Sequence, residues 1–137
     1  MNPYRLIITD DHYAFREVLK ILLEKKEDLE VVGEASDGGE LVKLLSSGDS
    51  LPDLIILDIS MSVMTGLEAA PIIKKRFPKV RILILSHHDQ KELVEEAASI
   101  GVDGYVTKDD LAANLFCAID AIRQGGTYFS GRMTGRC

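Results

Sequence analysis

Apolar residues along this chain alternate between two rhythms. Residues 4–9 make a short, nearly continuous apolar run, as a buried strand would; Phe15, Val18, Leu19, Leu22 and Leu23 then recur at three and four residues, the spacing of an amphipathic helix ending near Lys25 and Lys26. The alternation repeats four more times. A β-branched run at 29–35 precedes the turn Asp37-Gly38-Gly39 and a helix carrying Leu41, Val42, Leu44 and Leu45. Pro52-Asp53 opens the most apolar run, 54–57, and a helix over 66–77 is stopped by Pro78. A fourth strand is predicted at 80–85, followed by a helix with Leu93, Val94, Ala97 and Ala98 that ends at Gly101. The fifth, at 103–107, leads into a helix with Leu111, Leu115, Phe116, Ile119 and Ile122 that ends at Gly125-Gly126.

Five strand-helix units with continuously apolar strands call for a parallel sheet covered on both faces. Right-handed crossovers restrict the topology, and reactive residues in such sheets gather beyond the carboxyl ends of the strands. The polar residues sit where that rule puts them. Asp10 and Asp11 follow the first strand, Asp58 ends the third, Ser86 follows the fourth and Lys108 follows the fifth. The second strand ends in Ala35-Ser36, as suits a strand set to one side of the site.

Composition narrows the partners. A length of 137 residues suits one domain, and 16 basic against 22 acidic residues give a net charge of -6, which disfavours a nonspecific nucleic-acid surface. A protein or a small phosphorylated compound is the easier partner. The polar start, Met1-Asn2-Pro3-Tyr4-Arg5, lacks the apolar stretch of a signal peptide, and no apolar run is long enough to span a bilayer, so no membrane partner is expected. Cys117 lies in a helical pattern and Cys137 is the last residue; they read as a buried thiol and a frayed one rather than a disulfide, which favours a reducing cytoplasm.

Three carboxylates at one rim repel one another and push at least one pKa up unless a cation offsets them. Lys108 supplies a single charge. A hard divalent ion with oxygen ligands fits the rest, with Mg2+ the first choice; His12 stands alone and His87-His88 is adjacent, so no zinc spacing exists. Lys108 is then free to hold a phosphoryl group, and a carboxylate can be the nucleophile. Asp58 is the best candidate, at the end of the most apolar strand, with Asp10 and Asp11 on the metal and Lys108 and Ser86 on the phosphoryl oxygens. Plainer roles compete at each position. Strand-end aspartates also serve as turn and cap residues, Ser86 could cap the helix starting near His88-Asp89, and Tyr105 could be an ordinary half-buried strand aromatic. His87 and His88 read as solvated loop residues, or His88 lies above the phosphoryl site and governs hydrolytic water. Gly38-Gly39 is a turn, not a phosphate loop, and Gly66 permits a tight entry into the third helix.

In combination, Asp10-Asp11, Asp58-Ile59-Ser60-Met61 with Gly66 after it, Ser86, and Gly104-Tyr105-Val106-Thr107-Lys108 resemble the receiver domain of two-component response regulators over roughly residues 4–124. The resemblance implies an α/β fold, a doubly wound five-stranded parallel sheet of order 2-1-3-4-5 in a flavodoxin-like three-layer sandwich. It implies Mg2+-dependent transfer of a phosphoryl group from a sensor histidine kinase to Asp58. The metal would be held by Asp11, Asp58 and the carbonyl of Ser60, with Asp10 direct or through water; Ser86 and Tyr105 would be the switch pair. Their movement would remodel residues 88–124, a surface that often dimerises, although other receivers use their first and fifth helices. Two departures stand out. Ser62-Val63-Met64-Thr65 replaces the usual Pro-led turn, leaving that loop less restricted, and Pro71 falls inside the third helix, which should start late or kink.

Residues 1–124 are thus read as the receiver, and 125–137 as the start of a linker or a disordered tail. Gly125-Gly126-Thr127-Tyr128-Phe129-Ser130 resembles the end of receivers of the LuxR type (NarL/FixJ-like), which precede a helix-turn-helix domain; that domain is absent from this chain, so DNA is a partner only through a longer parent. Two alternatives stay open: a stand-alone receiver acting through protein contacts, and a Mg2+-dependent phosphatase of the phosphoaspartate type. The second normally wants an acid two residues after the nucleophile, where this chain has Ser60.

Overall fold

Each apolar run becomes a strand. The computed structural model describes residues 3–48 and 50–129; of the segment 125–137 expected as a linker start or tail, residues 130–137, Cys137 among them, lie outside the described residues. Strands β1 (Tyr4–Thr9), β2 (Leu29–Ala35), β3 (Leu54–Asp58), β4 (Arg81–Ser86), β5 (Gly104–Thr107) and β6 (Tyr128–Phe129) lie parallel in the order β2-β1-β3-β4-β5-β6. The doubly wound order expected for the first five holds, and a short sixth strand extends it.

Alternation along the strands sorts the core into two layers. Ile7, Ile55, Leu57, Ile82 and Ile84 face α2 (Gly38–Ser47), α3 (Gly66–Arg76) and α4 (Lys91–Ile100), meeting Leu41, Ala69, Ala70, Ile73, Val94 and Ala97. Leu6, Ile8, Leu54, Ile56, Leu83 and Leu85 face α1 (Tyr13–Leu23) and α5 (Leu111–Arg123), meeting Leu19, Leu23, Leu115, Ala118, Ile119 and Ile122. All five residues of β3 are buried because that strand is covered on both faces and both edges. Truncating Ile55 to Ala there would cost about 2–5 kcal/mol.

Local chemistry starts the helices where the site needs them. Asp37 accepts the Glu40 N–H at 2.8 Å and caps α2. Thr65 and Glu68 form a reciprocal capping box on α3, which begins at Gly66 with Pro71 inside it; the late start considered from the sequence does not occur. Gly66 is required by packing: a Cβ there would lie 2.3 Å from the Asp58 carbonyl oxygen, so any larger residue would push α3 off the strand end that carries Asp58. Gly104 does the same for β6, since its Cβ would meet the Tyr128 carbonyl at 2.9 Å. The loop before α3 carries the one positive-φ residue other than glycine among those described, Val63 at φ 68°. Without the Pro-led turn, a β-branched residue occupies the left-handed region.

Cys117 corrects an expectation. It is disulfide-bonded rather than a buried free thiol.

Candidate functional site

The strand ends deliver their polar residues to one hollow. Asp10, just past β1, and Asp58, the last residue of β3, are 2% and 4% exposed. Lys108 opens a single 3-10 turn after β5 (Lys108–Asp110), and its ammonium reaches across the rim to Asp10 Oδ2 at 2.8 Å and Asp58 Oδ1 at 3.4 Å. Its side chain is only 4% exposed. Two buried carboxylates therefore share one buried cation, with the more exposed Asp11 beside them. Ligand atoms from Asp10, Asp11, His12 and Asp58 all lie within 4.8 Å of one another.

The electrostatics follow. Burial raises the pKa of Asp58, the neighbouring charge of Asp10 raises it further, and Lys108 and the Ser60 backbone N–H offset this in part. One ammonium does not satisfy the cluster. Its donors are predominantly carboxylate oxygens, the set a hard divalent ion takes, and they fit Mg2+.

His12 belongs to this group, which the sequence did not suggest. Its backbone N–H donates to Asp10 Oδ1 at 2.8 Å, and its Nδ1 stands 3.3 Å from Asp10 Oδ1 and 3.1 Å from Asp11 Oδ1. The available signal was adjacency: the turn that closes β1 folds residue 12 back onto the acidic pair. Arg16 is a second residue that sequence reasoning missed. From α1 it donates to the Asp10 carbonyl at 2.6 Å and pairs with Glu34 at 3.2 Å, fixing the backbone that carries the pair.

On the far side of the hollow, Ser86 is fully buried at the end of β4, and its Oγ accepts the His88 N–H at 3.0 Å. It does not cap α4, whose N-cap is Gln90. Tyr105 is fully buried rather than half-buried; its hydroxyl donates to the His88 carbonyl at 2.6 Å, and burial raises its pKa while the Ser86 side chain opposes this. Ser60 Oγ lies 3.3 Å from His88 Nε2, so these two side chains span the mouth. Of the residues singled out from the sequence, Asp10, Asp11, Asp58 and Lys108 converge on one cluster. Ser60, Ser86 and Tyr105 meet around His88.

Comparison with known proteins agrees with this geometry. The response regulator receiver domain model matches residues 6–120, and the chain belongs to that family. Within the family its likeness is to the LuxR-type (NarL/FixJ-like) branch. A LuxR-family two-component response regulator from Aurantimonas sp. SI85-9A1 superposes with a TM-score of 0.89 at 33% identity, covering 95% of this chain and 91% of that one. The signal receiver domain of the putative response regulator NarL from Mycobacterium tuberculosis gives 0.83 at 30% identity, covering 91% and 99%. Among curated proteins, the transcriptional regulatory protein DegU of Brevibacillus brevis is 35% identical over 97% of this chain and 56% of its own length. The oxygen regulatory protein NreC of Staphylococcus haemolyticus is 34% identical over 95% and 59%. The chain thus spans under three-fifths of the length of these relatives. The cluster of Asp10, Asp11, His12 and Asp58 is the phosphoacceptor site of a receiver, of the kind that binds Mg2+.

Proposed function

We propose that this chain is the receiver part, residues 1–124, of a transcriptional response regulator, and that a sensor histidine kinase phosphorylates it on Asp58. The observation that carries the reading is the buried Lys108 ammonium set between Asp10 and Asp58. An Asp58 carboxylate oxygen attacks the phosphorus, the bond from phosphorus to the donor imidazole breaks, and that imidazole takes up a proton. Asp11, Asp58 and the Ser60 carbonyl would hold Mg2+, with Asp10 direct or through water; when bound, the ion would supply charge neutralisation for the phosphoryl oxygens. Lys108 leaves Asp58 for a phosphoryl oxygen. Ser86 turns its hydroxyl to another and gives up the His88 N–H. Tyr105, bonded to the same residue, then shifts with it, which links a change at Asp58 to α4 and β5.

The phosphatase reading loses ground, because Ser60 faces His88 and supplies no carboxylic acid near a leaving group. For self-association, the described exposed large apolar residues include Tyr13, Val18 and Ile21 on α1 and none on α4 or α5, which favours the α1 side over the surface of residues 88–124. Transcriptional output rests on the relatives, several of which are named as transcriptional regulatory proteins, and on RcsB from Salmonella enterica, 27% identical, whose structure was determined bound to a promoter. The DNA-binding domain would follow the 125–137 segment in a longer parent. Among the described residues no helix is long and apolar enough to cross a membrane, in keeping with action in the cytoplasm.

Incubation with phosphoramidate and Mg2+, followed by intact mass and hydroxylamine trapping, tests the reading. One phosphoryl group on Asp58, absent from Asp58→Asn, is expected. No uptake, or uptake at a residue outside the cluster, would overturn it.

A further inference from the structure

Lys108 has a third neighbour that neither charge nor hydrogen bonding explains. The centre of the Phe15 ring, on the first turn of α1, lies 4.3 Å from Lys108 Nζ. The ammonium is thus enclosed by Asp10 at 2.8 Å, Asp58 at 3.4 Å and an aromatic face. The ring's place is secured by its neighbour, since Arg16 ties α1 to the Asp10 carbonyl at 2.6 Å and to Glu34.

An ammonium carries three N–H donors, and a buried one without partners is costly. Two carboxylates occupy part of that capacity. An aliphatic side chain on the remaining side would desolvate the amine and return nothing, letting it collapse onto Asp10. A further carboxylate or carbonyl would hold it too firmly and compete with an incoming phosphoryl oxygen. The face of an aromatic ring attracts the cation without a lone pair that fixes its direction. We propose that Phe15 is a positioning residue for Lys108: its ring face closes the water side of the ammonium and keeps it in the gap between Asp10 and Asp58, ready to turn to a phosphoryl oxygen. This rests on the reading of Asp58 as phosphoacceptor and Lys108 as the phosphoryl-binding cation.

Two measurements test it. In the wild-type protein with lysine labelled for NMR, the Lys108 ε-methylene protons should resonate upfield of the other lysines through the ring current; Phe15→Tyr should keep that shift and Phe15→Leu should abolish it. In phosphoramidate uptake with Mg2+, Phe15→Leu should slow phosphorylation by about three- to thirty-fold, the size of a desolvated cation–π contact, with Phe15→Tyr near wild type. Combined with Lys108→Met, Phe15→Leu should slow uptake no further, because its effect passes through the lysine. Should Phe15→Leu not fold, a pentafluorinated phenylalanine at position 15, which keeps the ring's shape and reverses the charge of its face, should give the same slowing. Ordinary Lys108 shifts in the wild type, equal slowing by the Tyr and Leu variants, or additivity with Lys108→Met would overturn the proposal. A wild type that takes up no phosphoryl group would instead defeat the functional reading, and the Lys108 shifts would still decide the role of Phe15.

Discussion

Two ionic clusters sit at opposite ends of the same sheet and are built differently. At the amino ends of the strands, Asp103 meets Lys74 at 3.2 Å and Arg81 at 3.6 Å, and accepts the Ile82 N–H at 2.9 Å. One carboxylate there has two cations and a backbone donor. At the carboxyl ends the ratio is reversed: Asp10 and Asp58, with Asp11 beside them, share Lys108. Below that rim, Thr9 Oγ1 is the one buried side-chain oxygen without a hydrogen-bond partner among the described residues. Both Asp103 carboxylate oxygens are partnered, and that cluster serves the fold. The unbalanced one carries an unmet demand for positive charge, and that demand is its function.

The largest expected contrast comes from removing a carboxylate at each end. Asp58→Asn should abolish phosphoryl uptake while leaving the fold intact. Asp103→Ala should leave the chemistry of uptake unchanged but cost about 3 kcal/mol in urea unfolding, because it strands Lys74 against a partly buried site. A pair of variants in which both lost uptake, or neither lost stability, would break the comparison.

Cation binding sharpens it. Mg2+ at a hundredfold excess over its Kd should stabilise the wild type by about 2.7 kcal/mol, and the Asp103→Ala protein to the same extent, as read by thermal unfolding. Next in size, Lys108→Ala should slow uptake by roughly tenfold or more through lost charge stabilisation, and should weaken the coupling to Tyr105 measured by its fluorescence. Arg81→Ala at the other end removes a pairing at 3.6 Å from a side chain 38% exposed, so its effect on stability should stay within about 1 kcal/mol.

Backbone strain also collects at the rim. Val63 is 88% exposed at φ 68°, so its side chain gains little from packing to offset the conformation. Val63→Gly should raise stability by about 0.5 kcal/mol, because glycine enters the left-handed region without the Cβ clash but loses more chain entropy on folding. Unchanged stability would show that the loop relaxes freely.

Much of the fold and the core of the site are legible in the chain's pattern. The strands are legible because a sheet covered on both faces writes itself as continuous apolar runs, and Asp10, Asp11, Asp58 and Lys108 are legible because strand ends in such sheets converge. β6 is not, since two residues after a Gly-Gly turn carry no periodicity; its place depends on Gly104 admitting the Tyr128 carbonyl. Ser86 is ambiguous between cap and switch on pattern alone, and the start of α4 at Lys91 decides against the cap. His12 and Phe15 escape the pattern because their partners are set by the three-dimensional turn out of β1: one folds back on the acidic pair, and the other crosses to a lysine far along the chain.

The sign of the imbalance can be checked directly. Asp58 has a folded pKa above its unfolded one, so the native state holds that proton more tightly; the stability this confers is fully present below the usual aspartate range and is lost as pH rises through the raised folded value. Asp58→Asn removes the titrating group. The decisive measurement is the unfolding free energy of wild type and Asp58→Asn from acid to neutral pH, without and with Mg2+. Without the metal the wild type should lose stability relative to the variant as pH rises, and Mg2+ should restore it in the wild type far more than in the variant. Parallel pH profiles together with an equal response to Mg2+ would contradict the imbalance.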